Sequence, residues 1–245
     1  MDRFGLQLYT VRKILTEENA KEIMKEIRKA GYSYVQAAGD LKNIEKQGVW
    51  AMNEGLSVVG SVTDINTVFN NIDETVRVHK AIGAIDVGVS GFFGSPRDVE
   101  EFIRKANVVS EALSKENLTF SYHNHSGEFI KLDNGRSAFE MLMEGLSSKN
   151  TYYMPDTYWI QHGGADVRHY IEKLKGRIKI LHLKDAKMTP DGLTFAEIGK
   201  GNLFWEGIIE TAKNSCVEWF VVEQDKCDNS PLHSIKNSAE YLLKL

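Results

Sequence analysis

Apolar and polar positions along the chain switch between two periods: short runs at period two and longer stretches at period 3.6. Phe4–Thr10 reads as the first strand. Glu17–Ala30 then sets Ile23, Ile27 and Ala30 on one helical face, and Gly31 ends it. The same alternation predicts strands at Ser33–Ala37, Leu56–Val62 and Ala84–Val89, with helices at Leu41–Asn53 and around Phe69–Ile82. Pro96 suits the first turn of a helix running to Ser114. Strands follow at Leu118–His123, Thr151–Met154, Ile178–Leu183 and Trp219–Glu223. The helices between them fall at Ser137–Leu146, Val167–Leu174 and Trp205–Asn214, and Pro231 opens a last one.

These are eight strand–helix units with no Pro- or Ser-rich linker, which predicts one domain over 1–245. Such alternation belongs to the α/β class with a parallel sheet, and eight units close as a (β/α)8 barrel. The rival is an open doubly wound sheet, which would want a glycine fingerprint after strand one, where TVRK stands instead. The stretch Ala186–Phe204 is expected as a long irregular loop after strand seven, on the face where a barrel builds its active site.

With 42% hydrophobic and 26% charged residues, the chain has the composition of an ordinary globular protein. A net charge of −4 argues against nucleic acid or an anionic membrane as partner, since phosphate binding needs clustered positive charge. Cys216 and Cys227 form no framework and read as reduced thiols. The opening MDRFGLQLYTVRK carries charges within its apolar run, so a signal peptide is not expected there, and no stretch approaches a membrane span. The expectation is a cytoplasmic protein; a homo-oligomer is compatible with the sequence, which leaves the subunit count open. His79 and His169 fall in helices and are expected at the surface.

The chemistry lies at the strand ends. Strand five ends in His123, followed by His125 and Glu128 in its loop. Asp156 follows strand six, His182 lies in strand seven before Lys184 and Asp185, and strand eight ends in Glu223 before Asp225. Neighbouring strands lie about 5 Å apart, so an imidazole or carboxylate from each of four adjacent strands can meet at one point. Mixed nitrogen and oxygen donors suit one Mn, Zn, Co or Fe ion and are too nitrogen-rich for a typical Mg or Ca site. Lys184 is a cation for this chemistry or, equally, a rim lysine or a partner of Asp185; Trp159 and Phe92 are candidates to stack on a ligand, or plain packing.

YHNHSGEF (122–129), DTYW (156–159), HLKD (182–185), IGKGNLFW (198–205) and VVEQD (221–225), with FGLQLYTVR and GYSYVQ, resemble the sugar phosphate isomerase/epimerase family of xylose-isomerase-like TIM barrels. The resemblance covers essentially the whole chain. It implies a divalent ion held by Asp156, His182, Glu223 and a strand-five residue. Ketose epimerases carry a glutamate at that last position; His123 stands there in this sequence, and Glu128 is the alternative. The related zinc endonucleases need further histidines that are missing: Gln36 ends strand two, and Leu193 and Phe195 stand in the strand-seven loop.

The resemblance implies a sugar or polyol substrate whose carbonyl is polarised by the ion. Glu223 would remove the neighbouring proton, and Lys184 would stabilise the enediolate. Return of the proton isomerises or epimerises a keto-sugar. Loss of a hydroxyl, with His125 or His123 as acid, would make the enzyme a dehydratase of an inosose or 3-keto-glycoside. A sugar-binding barrel without chemistry is the alternative of a different class. Trp159 and Glu128 are the expected substrate contacts.

Overall fold

A computed structural model describes residues 3–245. Six parallel strands alternate with helices through the first two thirds of the chain. They are β1 (Gly5–Gln7), β2 (Tyr34–Ala38), β3 (Ser57–Asp64), β4 (Asp86–Ser90), β5 (Thr119–His123) and β6 (Thr151–Met154). The helices are α1 (Ala20–Lys29), α2 (Leu41–Asn53), α3 (Ile65–Asn70), α4 (Ile72–Ala81), α5 (Pro96–Lys115) and α6 (Ala138–Gly145). Then come α7 (Thr157–His162), α8 (Val167–Lys173), β7 (Ile180–Leu183), the pair β8 (Asp185–Thr189) and β9 (Gly192–Ala196), α9 (Trp205–Asn214), β10 (Trp219–Val222) and α10 (Pro231–Leu242). The eight parallel strands run β6-β5-β4-β3-β2-β1-β10-β7. The remaining seam closes through the parallel bridges Tyr153–Ile178 and Asp156–His182, with His182 N–H donating to Pro155 O at 2.9 Å. The result is the expected barrel.

Period-two alternation divides each strand between two cores. Outward residues such as Leu181 and Leu183 join the large apolar layer beneath the helices. Inward residues Tyr34, Val59, Met154, Ile180 and Val221 fill a separate cluster inside the barrel. Two residues further along the same inward rows stand Gln36, Asp156, His182 and Glu223, all buried. The apolar plug therefore forms the floor on which the polar layer rests.

Four expectations need correction. Strand one stops at Gln7, because the Gln7 side chain accepts the Tyr9 N–H at 3.1 Å and turns Leu8–Val11 into a 3-10 helix. The helix expected around Phe69–Ile82 starts earlier and is two helices, broken at Asn71. Part of the supposed irregular loop is the antiparallel hairpin β8–β9, turned at Pro190-Asp191-Gly192 with Gly192 at φ +111°. His79 is not a surface residue: it is fully buried, with Nε2 2.8 Å from Ser61 Oγ and Nδ1 2.7 Å from Thr75 O. His169 is exposed, as expected. Among the described residues no helix is long and apolar enough to cross a membrane.

Candidate active site

The carboxyl ends of the strands surround a cavity of about 1340 Å³, lined among others by His123, His125, Trp159, His182, Lys184, Glu223 and Asp225. At its floor His123, Asp156, His182 and Glu223 each present one donor atom, all within 4.8 Å of one another. Each comes from a different strand end, and local structure aims it. Asp156 caps α7: Oδ1 accepts the Trp159 N–H at 3.0 Å, which turns Oδ2 toward Lys184. The adjacent Thr157 hydroxyl donates to Lys184 O at 2.8 Å and ties this cap to the end of β7. Sequence periodicity missed α7, although Asp156 is an ordinary N-cap residue.

Lys184 is neither a rim lysine nor the partner of Asp185. Its side chain is 1% exposed, and its Nζ lies 2.9 Å from Asp156 Oδ2, 3.0 Å from Glu223 Oε2 and 3.0 Å from Asp225 Oδ2. Burial works against the ammonium, but these three carboxylates outweigh it and hold its pKa above the ordinary lysine value. Burial likewise raises Asp156. For Glu223 burial is overcome by Lys184 and His182, and its carboxyl stays well below the usual range. Asp185 points the other way. It accepts from the N–H groups of Ala186, Gly199, Gly201 and Leu203 and from Trp205 Nε1 at 2.8 Å. A Cβ at Gly201 would lie 2.3 Å from Asp185 Oδ1. The aspartate of HLKD and the glycines of IGKGNLFW therefore hold the strand-seven loop rather than the chemistry.

The two strand-five histidines take different places. His123 packs against His182 with ring centroids 4.6 Å apart, and burial drives its pKa well below the ordinary value, so its ring is neutral. His125 lies higher, stacked on Phe92 at 5.9 Å and edge-on to Trp159 at 5.3 Å; its pKa is also lowered, chiefly by burial. Glu128 is not brought to the cluster. Its Oε1 accepts from the Tyr122 hydroxyl at 2.5 Å and from the His125 N–H at 3.0 Å, and burial pushes its carboxyl up to about 7. It braces the His125 loop from behind.

Gln36, noted in the sequence only as the absence of a histidine, has a further place. Its Oε1 lies 2.6 Å from His182 Nε2 and accepts from Gln7 Nε2 at 2.7 Å. An amide oxygen only accepts, so Nε2 carries a proton; Nδ1 lies 3.0 Å from Glu223 Oε2 and would turn its lone pair to the cluster when a cation is bound. Gln7 and Gln36 are register partners on β1 and β2, a signal that inward-row bookkeeping reveals.

These residues fit a divalent cation. His123 Nδ1 is buried without a hydrogen-bond partner, and the buried Asp156 Oδ2 is met by the Lys184 ammonium at 2.9 Å. Three carboxylates against one ammonium leave two negative charges in excess when the imidazoles are neutral. The donor set is two nitrogens and two carboxylate oxygens, as borderline transition ions prefer.

Comparison with solved structures returns the same fold. A sugar phosphate isomerase/epimerase from Parabacteroides distasonis aligns over 100% of this chain and 99% of its own, with TM-score 0.87 and 19% identity. An L-ribulose 3-epimerase aligns over 100% and 94% with TM-score 0.77 and 13% identity. The 3-keto-D-glucoside 4-epimerase of E. coli aligns over 100% of both chains with TM-score 0.74 and 14% identity. By sequence, an inosose dehydratase of Mesomycoplasma hyopneumoniae is 25% identical over 168 residues, 61% of this chain and 55% of that protein. The match thus spans little more than half the length of that curated relative. The model of the xylose isomerase-like TIM barrel family matches residues 15–245, and the chain belongs to that family.

Proposed function

We propose that the chain is a divalent-metal-dependent isomerase or epimerase that moves a proton beside the carbonyl of a keto-sugar or related polyol. The observation that carries this reading is the Glu223 carboxylate, buried at the cavity floor within 3.0 Å of both His182 Nδ1 and Lys184 Nζ. His123, Asp156, His182 and Glu223 would hold the ion, be it Mn, Zn, Co or Fe. When bound, that ion polarises a substrate carbonyl and acidifies the neighbouring C–H. Glu223 is ionised at neutral pH and accepts that proton. Lys184 keeps its charge and, by exchanging one of its three carboxylate contacts, would offer an N–H to the oxygen on which negative charge grows. Trp159, with the Lys184 ammonium 5.4 Å over its ring, walls the site and helps to exclude water.

A second reading, dehydration of an inosose or 3-keto-glycoside, is favoured by the strand-five residue. A neutral His123 stands where a two-base epimerase would use a second carboxylate, and His125, which lines the cavity, would hand a proton to a leaving hydroxyl. Likeness to inosose dehydratases supports this branch.

Solvent exchange tests both. Wild type with saturating Mn²⁺ is expected to incorporate deuterium from D₂O beside the carbonyl of a ketose, inosose or 3-keto-glycoside, and NMR of the products separates exchange from dehydration. Glu223→Gln keeps the shape but cannot take the proton, so exchange is expected to fall about 10²–10⁴-fold. Near-wild-type exchange by the variant would move the base to His123 or His125.

A further inference from the structure

The groups assigned to chemistry occupy half of the cavity. All come from the ends of β5, β6, β7 and β10, whereas the rest of the wall belongs to the loops after β1, β2, β3 and β4. At about 1340 Å³ the space exceeds the roughly 300–1,000 Å³ of usual small-molecule pockets. From this second half we infer that the cavity contains a further subsite for a neutral, hydroxyl-bearing ring, so that the preferred ligand is a glycoside rather than a free or phosphorylated monosaccharide. This rests on the preceding reading of the floor as the place of the reacting ring.

Phe92 marks the boundary between the halves. It is 89% exposed, an unusual state for phenylalanine, yet its position is set by a near-parallel stack on His125, 13° between the rings. A ring held at a cavity mouth and left uncovered offers an apolar platform to the C–H face of a sugar. Tyr9, 41% exposed, lines the cavity from the segment after β1, with the Arg12 guanidinium 3.7 Å over it.

The charges of this half point to an uncharged ligand. Its cations are already engaged: Arg12 donates to Tyr9 O at 2.7 Å and to Asp225 O at 3.0 Å. Lys105 lies 3.1 Å from Glu101 and donates to Asn66 at 3.1 Å. The remaining charge-bearing side chains of this half are acidic, including Asp40 and Asp64 at the starts of α2 and α3. Each spends Oδ1 on helix N–H groups, which anchors the carboxylate and keeps Oδ2 as an acceptor. Fixed acceptors suit sugar hydroxyls and repel a phosphate.

The experiment is a binding measurement, independent of turnover. Titrations of the full chain with D-glucose, glucose 6-phosphate and the glucobioses trehalose and cellobiose are followed by saturation-transfer NMR. At least one disaccharide is expected to bind about tenfold more tightly than glucose, the factor one stacked aromatic supplies, and glucose 6-phosphate no better than glucose. Phe92→Ala is expected to bring the disaccharide down to the affinity of glucose while leaving glucose unchanged, and Phe92→Tyr to restore it. Equal affinities, tighter phosphate binding, a ratio that Phe92→Ala does not alter, or no binding at millimolar sugar would each overturn the subsite. A chain that binds the disaccharide through Phe92 yet exchanges no deuterium keeps the subsite and loses the isomerase reading.

Discussion

Lys184→Met is the most demanding single perturbation of this site. The substitution keeps an unbranched side chain of similar length in a position 1% exposed, so packing is largely conserved and charge is what changes. It strips Asp156 and Glu223, both buried, of a cation at 2.9 and 3.0 Å. Breaking a buried ion pair from one side costs about 3–5 kcal/mol. For a chain of this size each kcal/mol moves Tm by roughly 2–4 °C, so the loss should be about 6–20 °C in EDTA. The sign of its pH dependence is fixed. Without Lys184 the Asp156 carboxyl, already raised by burial, rises further, and Glu223 loses the cation that most depresses it; stability is lost as pH rises from the unfolded value near 4 through the folded one. The deficit is therefore larger at pH 8 than at pH 5. Mn²⁺ should recover more stability in the variant than in wild type, because removal of the ammonium adds one negative charge to the excess. Thermal unfolding followed by circular dichroism, at both pH values and with or without Mn²⁺, reads all three effects. A variant within about 0.5 kcal/mol of wild type in EDTA at pH 8, the range of a neutral surface change, would refute the buried-pair reasoning.

Gln36→Leu removes the acceptor that selects the His182 tautomer; Mn²⁺ affinity by calorimetry is expected to fall about 10–100-fold, and an unchanged affinity would free His182 from that control. His123→Ala should lose bound metal while Glu128→Ala retains it, as read by elemental analysis of the purified variants; the reverse pattern would place the strand-five ligand in the loop. His79, held neutral with its pKa pushed down to about 4 by burial, binds a proton less readily folded than unfolded. Stability is therefore lost from about pH 6.5 down through pH 4, by about 3 kcal/mol, and urea titrations should show His79→Gln with a flatter slope over that window.

The barrel was legible because its signal repeats. Eight period-two runs divided by period-3.6 stretches admit few topologies, and an error at one boundary leaves the register of the others intact. Errors fell where a side chain overrides the local pattern. Gln7 caps a 3-10 turn inside what reads as a continuous apolar strand, and Asp156 starts a helix within a segment too short to show helical period. The hairpin after β7 was missed although Pro190-Asp191-Gly192 carries its turn chemistry. His79 looked like a surface residue because helical position alone does not say which face meets the sheet.

The HLKD segment shows why the floor of the site could be read while its supports could not. Alternation sends His182 and Lys184 inward and Leu183 and Asp185 away from them, so four consecutive residues serve two purposes. His182 and Lys184 meet carboxylates from neighbouring strands, all within one inward layer, and strand spacing alone predicts that convergence. Asp185 instead gathers N–H groups from Gly199, Gly201 and Leu203, whose distance along the chain no strand period encodes. Charge pairing follows the same rule. A lysine beside an aspartate in sequence looks like a pair, but adjacent strand residues face opposite sides and cannot share a bond there. Lys184 instead meets the carboxylates on its own face: Asp156 of the β6 end, and Glu223 and Asp225 of the β10 end.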